Sequence, residues 1–296
     1  MLHTMHWQPA GPVRAVIAFS HGAGEHLGRY TQLAGDLAHD GLALHMVDLR
    51  GHGTSEGIRG HVMRFADYLQ DFTVALERAA AQARESGVPL FLGGHSLGGL
   101  IGLTWTLCHS ALLRDPQQAV PEQILSSNLR EVLSEIQPPP IGLILSAPFL
   151  GLAFRPPRWK TSASRLLSRL TPALTLATGL EPDLLSHDAA VVSAYRQDGL
   201  VHSMISARAY QSIRAAQNWC LSGETRPEVP VLFLVPGQDG IASPEVTLTF
   251  AQMLSASGAV ELREYPELYH EVFNEPERAA VLRDLLGWVL SRIHSG

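Results

Sequence analysis

"FLGGHSLGGL", Phe91 to Leu100, places one serine among four glycines. A G-x-S-x-G match arises by chance in a glycine-rich chain, so the flanking residues must decide what it means. Before it, "PLFL" from Pro89 is a short apolar run of strand character, and after it "LGGLIGLTWTL" has the length and composition of a helix. Strand, sharp turn and helix together make the setting of a nucleophile elbow, where a Cβ at the flanking positions would collide with the strained turn. A phosphate-binding turn would need the lysine of a P-loop or the spacing G-x-G-x-x-G, and neither is present. Ser96 is therefore read as a nucleophile. The backbone N–H of Leu97, opening the helix, is read as a donor to a developing oxyanion, with the helix dipole adding to the effect.

Outward from this stretch the same rhythm repeats. Strand-like apolar runs span Val13 to Gly22, Leu42 to Gly51, Pro89 to Ser96, Ile141 to Pro148, Val229 to Gly237 and Ala259 to Pro266. Helical spacing occupies Tyr30 to Gly41, Phe65 to Gly87 and Glu277 to Ile293, two of these segments closing on glycine. Continuous apolar strands alternating with helices predict a mostly parallel, doubly wound α/β sheet covered on both faces. The whole chain, 1–296, reads as one such domain with two interruptions. Residues 151–226, rich in Leu and Ala, read as an inserted helical cap, and residues 111–140, ending in "IQPPP", as a further insertion within the core. "LHTMHWQP" near the start is expected to supply a strand, with an outer edge strand of the usual sheet absent.

A serine at its ordinary pKa needs a base, itself oriented by an acid, both delivered by loops after later strands to the same sheet edge. Asp239 follows "VPVLFLVPG" in the loop "QDGIAS", and His270 follows "AVELREYP" in "ELYHEVFNEP". Ser96, Asp239 and His270 thus stand in the chain order Ser, Asp, His. His109, His187 and His202 lack a place just after a strand. The second oxyanion donor is expected in the loop "SHGAGEHLGRY", where small residues admit a close approach, and the N–H of Ala23 is the candidate. Glu25 and Arg29 stand four apart in that loop. They read either as a helix-surface ion pair of little energetic weight or as a polar wall facing the alcohol part of a substrate.

These blocks, "HGAGEHLGRY", "VDLRGHGTSEGIRGHVMRFADYLQD", "GGHSLGG", "LSAPFL", "VPGQDGIAS" and "YHEVFNEPER", resemble the monoacylglycerol lipase and lysophospholipase branch of the α/β-hydrolases. The resemblance implies an α/β-hydrolase fold and a serine hydrolase with Ser96, Asp239 and His270 as triad and Ala23 and Leu97 as backbone donors. It also implies a cap whose apolar face admits an acyl chain, and a glycerol pocket lined at the positions of Glu25 and Arg29. The expected substrate is a monoacylglycerol-like lipid ester. Lysophospholipase and short-chain carboxylesterase are the rival activities, and a hydrolase-fold ligand receptor with little turnover is the rival of another class.

Composition removes other classes. A net charge of -6 argues against nucleic acid, whose phosphates need an excess of Lys and Arg on one face. Cys108 and Cys220 lack metal-ligand spacing and read as buried free thiols, so neither metal nor cofactor is expected. The start shows no basic segment followed by an apolar one, and no run approaches the roughly 20 residues needed to cross a bilayer, so the expected location is cytoplasmic. Leu166, Leu167, Leu170, Leu174 and Leu176, flanked by Arg165 and Arg169, form a greasy face that either packs on the core or makes peripheral contact with a membrane.

Overall fold

A computed structural model describes residues 1–154, 157–255 and 260–293, and the side chains of 158–162 fall outside that description. In chain order the elements are β1 (Thr4–Trp7), β2 (Ala15–Ser20), α1 (Thr31–His39), β3 (Leu42–Val47), α2 (Phe65–Ser86), β4 (Leu90–His95), α3 (Leu97–Arg114), α4 (Ser127–Glu135) and β5 (Leu143–Ser146). They continue with α5 (Arg158–Leu170), β6 (Thr175–Ala177), α6 (Ala189–Gln197), β7 (Met204–Ser206), α7 (Ala207–Leu221), β8 (Val231–Pro236), α8 (Pro244–Ser255), β9 (Val260–Tyr265) and α9 (Arg278–Ile293). Ala259, the expected first residue of the last strand, lies outside the described residues.

Among the described residues the main sheet runs β1-β3-β2-β4-β5-β8-β9, with every neighbouring pair parallel except β1 against β3. The residues of β2, β3, β4 and β8 are buried without interruption, as strands covered on both faces must be. Their side chains alternate between two cores. Val16 and Ala18 of β2 join a core made with α2, α3 and α8, while Ala15, Ile17 and Phe19 join one made with α1 and α9. The chain steps from β2 to β3 on one side and later to β4 on the other, so the order reverses between β2 and β4. Ligands of open α/β sheets bind in the crevice outside the carboxyl ends of the strands at such a reversal. The loops after β2 and β4 carry Ala23 and Ser96.

Local chemistry explains the longest surface helix. The Arg64 N–H donates to the Asp67 carboxylate at the start of α2 (2.9 Å), and Gly87 ends it in the left-handed region at φ 66°. Within residues 111–140, α3 continues to Arg114 before α4 begins, and Leu129 and Leu133 of α4 are buried in the core shared with α2 and α3. Helix α4 is thus packed onto the body rather than lying as a loose surface element. The 151–226 stretch is mixed, not wholly helical: β6 and β7 pair antiparallel between its helices. Its last helix, α7, buries Ala209, Ile213, Ala216 and Cys220 in the same core as α3, and α5 rests on α7. Both cysteines are free and buried. Among the described residues no helix is long and apolar enough to cross a membrane.

Replacing the fully buried Leu133 by Ala removes apolar contacts and leaves a cavity, so it should cost about 2–5 kcal/mol in chemical denaturation. A loss under about 1 kcal/mol would show that α4 separates without disturbing the core.

Candidate active site

Ser96 occupies the turn between β4 and α3 with φ 54° and ψ -117°, backbone angles that a residue with a side chain seldom adopts. Three hydrogen bonds hold it there: its N–H donates to Ser146 O (3.0 Å), and its carbonyl accepts from Leu100 N (3.1 Å) and Phe149 N (2.9 Å). The turn is also compressed against β2. A Cβ on Gly98 would lie 2.0 Å from Ser20 O, so the second flanking position of the motif admits glycine alone. Leu97 begins α3, and the first N–H groups of an α-helix have no partner within it.

The loop after β2 lies against this serine. A Cβ placed on Gly22 would come within 3.2 Å of the Ser96 Cβ, and the next residue, Ala23, is exposed. The peptide joining Gly22 to Ala23 is oriented by His21. The Leu49 N–H donates to His21 Nε2 (3.0 Å), which leaves the proton on Nδ1, and Nδ1 donates to Gly22 O (2.8 Å). Because the peptide is planar, fixing that carbonyl fixes the Ala23 N–H.

Asp239 and His270 meet directly. His270 Nδ1 lies 2.7 Å from Asp239 Oδ2, and since a carboxylate only accepts, Nδ1 carries the proton and Nε2 is left as an acceptor. The other carboxylate oxygen, Oδ1, accepts from the N–H groups of Ile241 (2.8 Å) and Ala242 (2.9 Å), which pins the acid. The His270 ring lies 4.7 Å from the ring of His95, the residue preceding Ser96, so the acid and imidazole pair stands beside the elbow.

Glu25 and Arg29 are not on the surface: their side chains are 6% and 10% exposed. Arg29 Nη1 donates to Glu25 Oε2 (2.7 Å) and to Glu271 Oε1 (2.6 Å), and Nη2 donates to Glu271 Oε2 (2.7 Å). Glu25 Oε1 accepts from Gly22 N (2.6 Å) and from the Tyr30 hydroxyl (2.7 Å). The Arg29 guanidinium also sits 4.7 Å over the centroid of the Tyr195 ring. The surface ion-pair reading is therefore excluded by burial. Glu271, His95, Tyr30 and Tyr195 are absent from the sequence-based site. Only Glu271, a charged residue directly after His270, carried a signal that could have pointed to it.

Electrostatics differ sharply between the two adjacent histidines. Burial alone would lower the His270 pKa, but the Asp239 charge and hydrogen bond, with Glu271 and Glu25, outweigh it and raise it above 6.5. For His95 burial dominates and the His270 ring adds to it, pushing the value down to about 4. Burial alone would raise the Glu25 carboxyl, but Arg29, together with the neighbouring histidines and the Tyr30 hydrogen bond, outweighs it and lowers the pKa to about 2. Among the described residues no group of three or more His, Cys, Asp or Glu side chains is placed to hold a metal ion. A strained serine turn, an imidazole whose Nε2 is left to accept and the first N–H groups of α3, together at one sheet edge, suit acyl transfer by a protein nucleophile.

Comparison with known proteins agrees with this geometry. The family model described as serine aminopeptidase, S33, matches residues 11–132 and 129–277. The chain belongs to that family. It is 30% identical over 278 residues to phospholipase YtpA of Bacillus subtilis, covering 94% of this chain and 95% of that one. The crystal structure of Paleococcus ferrophilus monoacylglycerol lipase superposes with a TM-score of 0.78 at 28% identity, covering 98% and 99% of the two chains. An abhydrolase domain-containing protein of Dictyostelium discoideum is 28% identical over 98% of this chain, which spans 28% of that protein's length. As a member of the S33 family with an α/β-hydrolase fold, the chain is a serine ester hydrolase similar to monoacylglycerol lipases.

In an NMR titration the His270 imidazole should titrate above 6.5, and His95 should stay neutral down to about pH 4. A raised value in the fold means that protonated His270 stabilises the native state below pH 6.5, and that this contribution is lost as pH rises through the folded value. Asp239→Asn should bring the His270 midpoint down, and an unchanged midpoint would contradict the charge assignment.

Proposed function

We propose that the protein hydrolyses a monoacylglycerol-like lipid ester with Ser96 as nucleophile, His270 as general base and Asp239 as its orienting acid. The observation that carries this reading is the buried 2.7 Å Asp239–His270 hydrogen bond beside a serine at φ 54°. His270 Nε2 takes the Ser96 proton as the hydroxyl attacks the ester carbonyl, and Asp239 stabilises the imidazolium that forms. The Ala23 and Leu97 N–H groups receive the oxyanion of the tetrahedral intermediate. His270 then protonates the departing alcohol oxygen, and water, deprotonated by the same imidazole, releases the fatty acid from the acyl enzyme.

For the leaving alcohol we assign the polar wall of Glu25 and Arg29, next to the loop that carries Ala23. The similarity to Paleococcus ferrophilus monoacylglycerol lipase supports this substrate class. The similarity to a bacterial phospholipase makes a lysophospholipid the second candidate. Residues 151–226 serve as a cap over the site. There Leu166, Leu170, Leu174 and Leu176 remain exposed, Leu170 to 68%, beside Arg165 and Arg169, and we assign this face to peripheral contact with a lipid surface.

Fatty-acid release from monoacylglycerols of increasing chain length, lysophosphatidylcholine and a short ester tests the assignment. Ser96→Ala should cut the rate by about four to six orders of magnitude while preserving the fold, and retained activity would remove Ser96 from its role. Preference for lysophosphatidylcholine would keep the triad and replace the substrate. Leu166→Ser with Leu170→Ser should weaken binding to sedimentable anionic vesicles roughly tenfold or more, and leave hydrolysis of a water-soluble ester unchanged.

A further inference from the structure

The two loops that must cooperate in acyl transfer arise far apart in the sheet. The loop carrying Ala23 follows β2 and the loop carrying His270 follows β9, with β4, β5 and β8 between them. At ~4.8 Å per strand, four steps put their points of origin ~19 Å apart. Both lean over the end of β4 to reach Ser96, and the sheet ladder alone does not set their mutual position.

The Glu25, Arg29 and Glu271 network spans that gap. From one side, Glu25 accepts from Gly22 N, the residue before Ala23. From the other, Glu271 is joined through the backbone to His270 and is steadied by Asn274 Nδ2, which donates to Glu271 Oε2 (2.8 Å). Arg29 holds both carboxylates, gripping Glu271 with two parallel bonds that fix direction as well as distance. We propose that Arg29 and Glu271 form a clamp that fixes the oxyanion loop relative to the His270 loop, so that both are positioning residues for acyl transfer. The clamp rests on the assignment of Ser96, His270 and Ala23 given above.

Burial and charge fit such a role better than one in stability. The Arg29 and Glu271 side chains are 10% and 5% exposed, and taking ions out of water cancels much of what their attraction gains, so a buried ion network is a weak stabiliser. What it supplies is geometry. It also leaves a surplus of one negative charge, two carboxylates against one guanidinium, on the side of His270 where imidazolium develops. The charged and titratable groups facing that ring are Asp239 after β8, Glu25 and Arg29 after β2, His95 at the end of β4, and Glu271 itself.

The test compares wild type with Glu271→Gln and Arg29→Lys on two esters of one fatty acid, its monoacylglycerol and its p-nitrophenyl ester. Each variant is also melted and labelled with a fluorophosphonate. The clamp predicts that kcat falls roughly tenfold or more on both esters, with little change in KM for the p-nitrophenyl ester, which lacks the glycerol, because the misplaced groups serve the acyl centre common to both. Arg29→Lys, which keeps the charge and loses the fork, should not rescue. Removing the Glu271 charge should also move the acid limb of kcat/KM to lower pH, since less negative potential favours neutral His270. A loss confined to KM for the monoacylglycerol would overturn the clamp in favour of alcohol binding. A lowered melting temperature with kcat and the acid limb unchanged would overturn it in favour of a purely structural role. Failure of the wild type to label at Ser96 would instead sink the nucleophile assignment beneath it.

Discussion

The arrangement depends on a backbone constraint at one residue, the left-handed φ of Ser96. Such a conformation costs of order 1–3 kcal/mol and persists only where the surroundings over-determine it. Here the Ser96 N–H and carbonyl are tied to Ser146, Leu100 and Phe149, and Gly98 lets α3 press against the end of β2. The same close approach brings the loop after β2 against the Ser96 side chain, through Gly22. Strain at the elbow and the approach of Gly22 to Ser96 are thus two results of one packing solution.

The electrostatics follow from what each adjacent histidine faces. His95 and His270 are both buried and their rings nearly touch, so two imidazolium ions cannot coexist there. The carboxylates decide which ring takes the proton. Asp239 bonds directly to His270, whereas His95, reached by Glu25, Glu271 and Asp239 only through space, is bonded to the Ser146 hydroxyl at 3.1 Å. His95 therefore acts as a neutral wall, and the proton economy of the site is concentrated on His270 Nε2.

Much of this was legible because it is encoded locally. Continuous apolar runs ending in Gly, Pro or Ser predict β2, β4, β5, β8 and β9 within a residue or two and β3 with a four-residue overrun at its end, and the chain order of Ser96, Asp239 and His270 places them at one sheet edge. The Glu271 tie was not legible, since it joins residues 242 apart whose contact depends on how two loops bend. For Glu25 and Arg29 the four-residue spacing suggested a surface pair as readily as a wall. Burial removes the surface pair, and burial belongs to the fold rather than to spacing. β6 and β7 escaped for another reason: three-residue strands carry too little alternation to be distinguished from loop.

Near Ala23 and His270, backbone bonds join residues 151–226 to the loops of the body. His202 N–H donates to Gly24 O (2.8 Å), Ser206 N–H to Gly60 O (2.9 Å), and Glu271 N–H to Leu185 O (2.8 Å). Gly60 permits the approach, for a Cβ there would lie 1.9 Å from Met204 O. Backbone bonds of this kind need exact partners but little apolar area, and they occupy polar groups that the loops present anyway. In residues 151–226 these bonds stand beside the apolar packing of α7 on the core, and Leu166, Leu170, Leu174 and Leu176 need not be buried to hold the stretch in place.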